Sequence, residues 1–481
     1  MQDAPLLSQG CLVMKFGGTS VGSAEALAQA ADIVRSARDA WSRVVVVTSA
    51  MSGVTDLLLG SANRAAQGDL EGLESVAASL RARHFEAAKV LIPDVAARER
   101  LQDEVGGLTA SFEELCRAIA VIGEASPRAL DAVASLGERM CVRLLAGVIA
   151  AGGVPAEYIE ASEIVVTNDQ FQNAHPDFTV TAERTRQRLE PLLARGITPV
   201  VTGFIGATPS GVITTLGRGG SDYSAAILGA VLPAEEVWIW TDVDGVMTAD
   251  PRLVPSARTL PEITYNEIAE LAYYGAKVLH PKTIRPVVEA GIGLRICNTF
   301  NPTHPGTRLV ANHTARPASG TIIKAVTAIH KQRLITIEGR GMLGVPGVAA
   351  RAFGAVASTN TSVPLITQAS SEQSICFAVP SASTKAVLAA LKKTFSVELA
   401  QRDIDSIWAT DDVSIITVVG AGMRHTPGVA GQVFSQLGKK GINVLAIAQG
   451  SSEVSISMVV DEGDTEVAVK ALHDLFVPQE A

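Results

Sequence analysis

The stretch LVMKFGGTSVG, residues 12–22, sets Lys15, two glycines and two hydroxyl residues directly behind an apolar run. Glycines after a strand let a backbone approach a phosphate closely, and a lysine beside them could neutralise it. The order nevertheless differs from a P-loop, whose glycines come first and whose lysine adjoins Ser or Thr. Thr19 or Ser20 would cap a helix beginning near Val21. From this stretch alone, a tight turn with a surface lysine reads equally well. In TTLGRGGSDYSA, residues 214–225, glycines flank Arg218, and Ser221 or Asp222 stands where a helix should begin. That pattern makes an anion cradle of backbone N–H groups with a guanidinium able to grip a carboxylate by two prongs. WTDVDGVMTADPR, residues 240–252, runs from a strand into an Asp-rich loop that lacks the bidentate glutamate of a calcium site, so a nucleotide edge suits it better. YGAKVLHP, residues 274–281, offers Lys277 at the start of a helix-like segment, and ASLGERM, residues 134–140, puts Glu138 in an otherwise apolar helix. Taken singly, these two are an ordinary solvated lysine and a satisfied carboxylate.

The elements that must position these residues alternate. Short β-branched runs, CLVMKF, RVVVVT, ITPVVTGF, EVWIWTD and GLRICN, are separated by helical patterns such as 23–40 and 222–230. Strands alternating with helices predict a largely parallel sheet covered on both faces, with ligands at the carboxyl ends of the strands. Residues 60–135, rich in Ala and Leu, read as a helical subdomain packed on that sheet. Residues 311–320, ANHTARPASG, are a linker by composition. Beyond them the chain repeats itself: residues 335–379 align without a gap on 416–460, with 19 of 45 positions identical. Each copy reads strand, Pro-Gly turn, helix, strand, strand, a duplicated small α/β unit.

At 481 residues and 47% hydrophobic content, the chain can bury several cores. A net charge of -9 without a basic block argues against nucleic acid, and no apolar run approaches a membrane span. Five scattered cysteines without CxxC spacing disfavour a disulfide framework or a zinc site, and the N-terminus lacks a signal-peptide pattern. These features predict a cytoplasmic protein with no metal site of its own.

Seven segments taken in order, KFGGTSVG, SAMSGVTD, SLGERM, GFIG, TLGRGGSDYSA, WTDVDGVMTADPR and YGAKVLHP, resemble the signatures of aspartate kinases in the amino acid kinase superfamily. The C-terminal copies resemble the paired ACT modules of those enzymes. The resemblance implies an amino acid kinase fold, a mainly parallel sheet sandwiched by helices, followed by two α+β ACT-type regulatory domains. The implied bounds are 11–311 for the catalytic domain, 312–324 for a linker, and 325–398 and 405–481 for the ACT domains. It implies transfer of a phosphoryl group from ATP with Mg2+ to the side-chain carboxylate of L-aspartate. By motif matching, Lys15, Asp222 and Lys277 are catalytic, while Thr55, Glu138, Arg218, Gly219 and Ser221 bind aspartate. Lys15, Gly17, Gly18, Ser20, Thr241, Asp242, Met247, Arg252 and Lys277 fall on nucleotide positions. Met247 departs from the family, many members of which carry an aromatic residue there. An amino-acid effector, threonine in preference to lysine, is expected near Ser362, Gln368 and Gln449. Pro364 stands where lysine-sensitive relatives often carry an acidic residue. The family also implies a homo-oligomer, a dimer through the ACT modules. The second copy's NVLAIAQGSSE resembles relatives fused to homoserine dehydrogenase, and no dinucleotide-binding fingerprint follows it before Ala481. Two alternatives are a catalytically inactive amino-acid sensor and another carboxylate kinase, such as one acting on glutamate.

Overall fold

The computed structural model describes residues 8–274, 279, 281–311, 322–342, 345–368, 373–424, 426–450 and 454–477. Packing divides the chain into two units, Met1–Val246 with Leu279–Ala311, and Met247–Val278 with Asn312–Ala481.

In the first unit, β1 (Ser8–Phe16), α1 (Ala24–Ala40), β2 (Trp41–Thr48), α2 (Val54–Ala65), α3 (Leu73–Leu91), α4 (Val95–Ile122) and α5 (Pro127–Ala151) follow one another. β3 (Ala156–Ile159), α6 (Phe178–Ala194), β4 (Thr198–Thr202), β5 (Ile205–Ala207), β6 (Ile213–Thr215), α7 (Gly220–Val231) and β7 (Glu236–Thr241) come next. The sheet runs β3-β4-β2-β1-β7 and continues through strands Gly293–Asn298 and Thr307–Val310. Every pairing from β3 to Gly293–Asn298 is parallel, and Thr307–Val310 is antiparallel. Val44, Val45, Val46 and Val47 are all fully buried, which is why β2 reads as an unbroken apolar run rather than an alternating one. Helices α2 to α5 form the helical subdomain expected from the composition, packed into the same core as β1 and β2.

The second unit holds both copies of the repeat in one antiparallel sheet. Its strands run in the order Leu365–Gln368, Ser374–Pro380, Ala325–Glu338, Val413–Val419, Ser455–Asp461, Ala446–Ala448, with Ser406–Ala409 also paired to Ala325–Glu338. Each copy has its own core, and each ends in a further helix, Thr384–Thr394 or Thr465–Phe476, beyond the five-part pattern read from the sequence. The outermost strands, Leu365–Gln368 and Ala446–Ala448, carry Ile366 and Ile447, equivalent residues of the two copies that are both about half exposed.

Part of the stretch 247–274, which the sequence reading placed in the catalytic domain, shares packing with the second unit. Ala249 and Val254 lie in the same core as Val326, Met458 and Leu472. Thr248 carbonyl accepts from Val326 N–H at 2.8 Å, and its hydroxyl meets His473 Nε2 at 2.9 Å. On helix Tyr265–Tyr273, the buried Glu267 carboxylate accepts from Lys324 Nζ at 2.9 Å and from Ala421 N–H at 2.7 Å. Glu270 accepts from Ser455 Oγ at 2.7 Å. Segments close in sequence to the first unit therefore contribute charge and apolar surface to the second.

Candidate active site

The loops at the carboxyl ends of β1, β2 and β4 enclose a cavity of about 520 Å3 together with α5 and the start of α7. Lys15 is the penultimate residue of β1 and nearly buried, and its Nζ lies 2.5 Å from Asp222 Oδ1 in the first turn of α7. The chain turns at Gly17, whose N–H donates to Trp240 carbonyl at 3.1 Å. The expected cap at Thr19 or Ser20 is not what forms. These residues make a short 3-10 turn, and Ser23 caps α1 by accepting from Ala26 N–H at 3.2 Å. Ser20 is buried instead, donating to Trp240 carbonyl and accepting from Thr299 Oγ1 at 2.7 Å, so its hydroxyl is engaged within the protein.

Glu138 sits in α5 and lines the cavity. A side chain at Gly137 would put its Cβ 2.9 Å from that of Ala50, so glycine is what lets α5 approach the loop after β2. That approach gives Glu138 Oε1 its contact with Ala50 N–H at 3.3 Å, while Oε2 is buried without a partner among the described residues. Burial pushes the carboxyl up to about 8, only partly offset by the Ala50 hydrogen bond. A shift of that size opposes ionisation by roughly 5 kcal/mol, which a cation delivered to Oε2 would counter.

Arg218 lies on the loop between β6 and α7, exposed and without an ion pair or hydrogen bond among the described residues. Gly217 beside it has φ of +78°, and a Cβ there would fall 2.8 Å from Gln172 carbonyl. Gln172 and Phe204, both lining the cavity, hold φ of 67°, a conformation uncommon for residues other than glycine. Thr55, Gly18, Gly219 and Ser221 line the cavity as well. Lys15, Asp222, Glu138, Arg218 and Thr55, read from four separate motifs, thus meet around one space.

Other residues fall elsewhere. Thr241 ends β7 and donates to the exposed Asp242 at 3.2 Å. The loop after them is fixed by Asp244, which accepts from Asn298 Nδ2 at 2.9 Å and Asn301 Nδ2 at 3.0 Å. Met247 and Arg252 belong to the second unit, where Met247 Sδ accepts from Thr259 Oγ1 at 3.5 Å and Arg252 pairs with Asp250 at 2.6 Å. Lys277 lies outside the described residues. The sequence reading missed Asp131, buried one helical face away from solvent and seven residues before Glu138, although that spacing on an apolar helix was a usable signal. Burial raises the Asp131 carboxyl, against hydrogen bonds from Gln172 and Thr215 that lower it. Among the described residues no group of three or more His, Cys, Asp or Glu could hold a metal ion, and no helix is long and apolar enough to cross a membrane.

A second cavity, about 400 Å3, lies in the first repeat. Met342, Val345, Pro346, Gly347, Val348 and Ala349 line it with Gln368 and Ile375. Gln449 and Ser362 are exposed and do not line it.

Comparison with known proteins is consistent across the chain. Residues 10–298 match the amino acid kinase family, and residues 335–395 and 416–476 each match an ACT domain. A bifunctional aspartokinase/homoserine dehydrogenase 1 of Zea mays is 40% identical over 96% of this chain and 50% of its own length. An aspartokinase of Schizosaccharomyces pombe is 34% identical over 97% of this chain and 92% of its own. The crystal structure of E. coli aspartokinase III with aspartate and ADP superposes with a TM-score of 0.79 at 31% identity, covering 97% of this chain and 99% of that one. The chain spans about half the length of the bifunctional plant relatives it matches.

Proposed function

The chain belongs to the aspartokinase family of the amino acid kinases, and on that premise we propose that it transfers the γ-phosphoryl group of ATP to the side-chain carboxylate of L-aspartate. The observation that carries this reading is a cavity bounded by an arginine without a partner among the described residues on one side and an unpartnered buried carboxylate oxygen on the other. Arg218 would hold the substrate α-carboxylate, and Glu138 its ammonium, which would restore the charge that burial suppresses. The remaining substrate carboxylate is already a nucleophile at neutral pH, so no general base is required. Its oxygen attacks the γ-phosphorus in line as the bond to the ADP oxygen breaks, giving 4-phospho-L-aspartate. Lys15, oriented by Asp222, would offset charge on the transferring group, with Lys277 as a second cation; catalysis is then positioning and charge neutralisation. Magnesium would be carried on the ATP phosphates, with at most one or two protein carboxylates, and would neutralise charge on their oxygens. An ADP-release assay with aspartate, with glutamate and with no acceptor tests the reading. Release only with aspartate supports it, and no aspartate-dependent release sinks it.

The second cavity favours regulation by an uncharged amino acid, threonine in preference to lysine. Among the described residues no charged side chain lines it, Gln368 supplies both donor and acceptor, and the N–H groups at the start of helix Val348–Ala357, which no side chain is seen to cap among those residues, suit a carboxylate. Two copies of the chain would pair through this unit, for which the exposed Ile366 and Ile447 on the outermost strands are the support. Light scattering of Ile366→Lys and Ile447→Lys tests that pairing.

A further inference from the structure

We infer that Asp131 is a positioning residue, tying the loop that carries Arg218 to the helix that carries Glu138 and so setting the gap between the two groups that grip the ends of the substrate. The inference rests on the function proposed above. Asp131 is 1% exposed, and both of its oxygens are occupied. Oδ2 accepts from Thr215 N–H at 2.8 Å, Oδ1 accepts from Thr215 Oγ1 at 2.8 Å, and Gln172 N–H lies 3.0 Å from Oδ2 and 3.1 Å from Oδ1. Thr215 is the last residue of β6, three before Arg218. Ala174 N–H donates to Thr215 carbonyl at 2.9 Å, and Gly217 seats against Gln172 carbonyl, so residues 172–174 and 215–217 behave as one body.

The Asp131 carboxylate, two helical turns before Glu138, hydrogen-bonds that body to α5. Residues seven apart on a helix share a face, so α5 presents the group that would bind ammonium and the anchor of the group that would bind carboxylate along one line. Arg218 makes no hydrogen bond or ion pair of its own among the described residues, so its loop, rather than a partner, decides where the guanidinium points. An acceptor-only carboxylate suits three converging donors, whereas asparagine would turn its NH2 toward one of them.

The test is a double-mutant cycle on the full chain, read by calorimetric titration with L-aspartate and with ADP. Asp131→Asn is expected to raise the aspartate Kd about tenfold or more while changing the ADP Kd less than about twofold. In an Arg218→Ala background the same change should weaken aspartate less than about twofold, because the group being positioned is gone. A merely structural carboxylate would weaken aspartate equally in both backgrounds, and that result, or an unchanged Kd in the single variant, overturns the inference. Should Asp131→Asn fail to fold by thermal melt, Thr215→Val removes one donor only, and additivity with Arg218→Ala there overturns the inference equally. A wild-type chain that binds no aspartate overturns the kinase reading and this inference with it, whereas binding without non-additivity overturns the inference alone.

Discussion

The proposed substrate pocket of the first unit and the cavity of the first repeat are of similar size, about 520 and 400 Å3, and nearly opposite in make-up. One is walled by Lys15, Asp222, Glu138, Asp131 and Arg218, most of them buried; the other by apolar residues, a Pro-Gly turn and one amide. Phosphoryl transfer needs charge that is fixed before the reaction begins, because reorganising dipoles during the reaction raises the barrier. A regulatory site needs only a difference in affinity between two arrangements of the chain, on the order of 1–3 kcal/mol, and a neutral lining supplies that without buried charge.

The sharpest break in that contrast would come at Lys15. Lys15→Ala should lower kcat by about 100- to 1,000-fold while the thermal melt stays cooperative, and near-wild-type turnover would mean that the buried cation is structural. Next is Glu267, which asks whether charge can be as decisive in the second unit. Removing a fully buried carboxylate that holds Lys324 and Ala421 N–H should cost about 3 kcal/mol, seen as a lower urea midpoint for Glu267→Ala. An unchanged midpoint would leave the docking of helix Tyr265–Tyr273 to its apolar contacts.

Third, Arg218→Lys and Glu138→Gln should each raise the aspartate KM by about 10-fold or more and leave the ATP KM within about twofold. Glu138 also carries a pH signature. With its folded carboxyl at about 8 against an ordinary 4.5, the ligand-free protein holds the extra proton between those values and loses stability as pH rises through them. Aspartate binding, which favours the ionised form, should strengthen over the upper part of the same range. Glu138→Gln should flatten both slopes, and titration calorimetry from pH 6 to 8.5 would expose a wild type that has neither. The smallest effect belongs to the neutral cavity. Gln368→Ala should raise the threonine concentration for half inhibition about fivefold, equivalent to one neutral hydrogen bond of about 1 kcal/mol, and Gln449→Ala should leave it within about twofold. Inhibition by lysine alone, or no change in either variant, would remove threonine from this site.

The same contrast separates what was legible in the sequence from what was not. The parallel strands were visible because burial on both faces leaves β-branched runs such as RVVVVT unbroken. Lys15, Arg218 and Asp222 were visible because each is bracketed by glycines or a helix start, which is a local signal. Asp131 offered only its spacing from Glu138, since its partners Gln172 and Thr215 lie 41 and 84 residues away. Ser23 outcompeted Thr19 and Ser20 as a cap because Ser20 is drawn inward by Trp240 and Thr299, contacts over 200 residues distant. Residues 247–274 read as part of the first domain because two of the resembling segments, WTDVDGVMTADPR and YGAKVLHP, run into them; Val254 and Glu267 also pack against residues beyond 320.

That last arrangement has a consequence during synthesis. Ala249 and Val254 leave the ribosome well before Val326, Met458 and Leu472, which share their core, and Leu472 follows Val254 by about 200 residues. At translation rates of about 5–20 residues per second, Val254 and its neighbours wait on the order of 10–40 s for that part of their cover. Through that interval the nascent chain carries an apolar segment with no permanent home, making it a natural client for chaperones. A chain that stops in the linker would keep it in that condition for good.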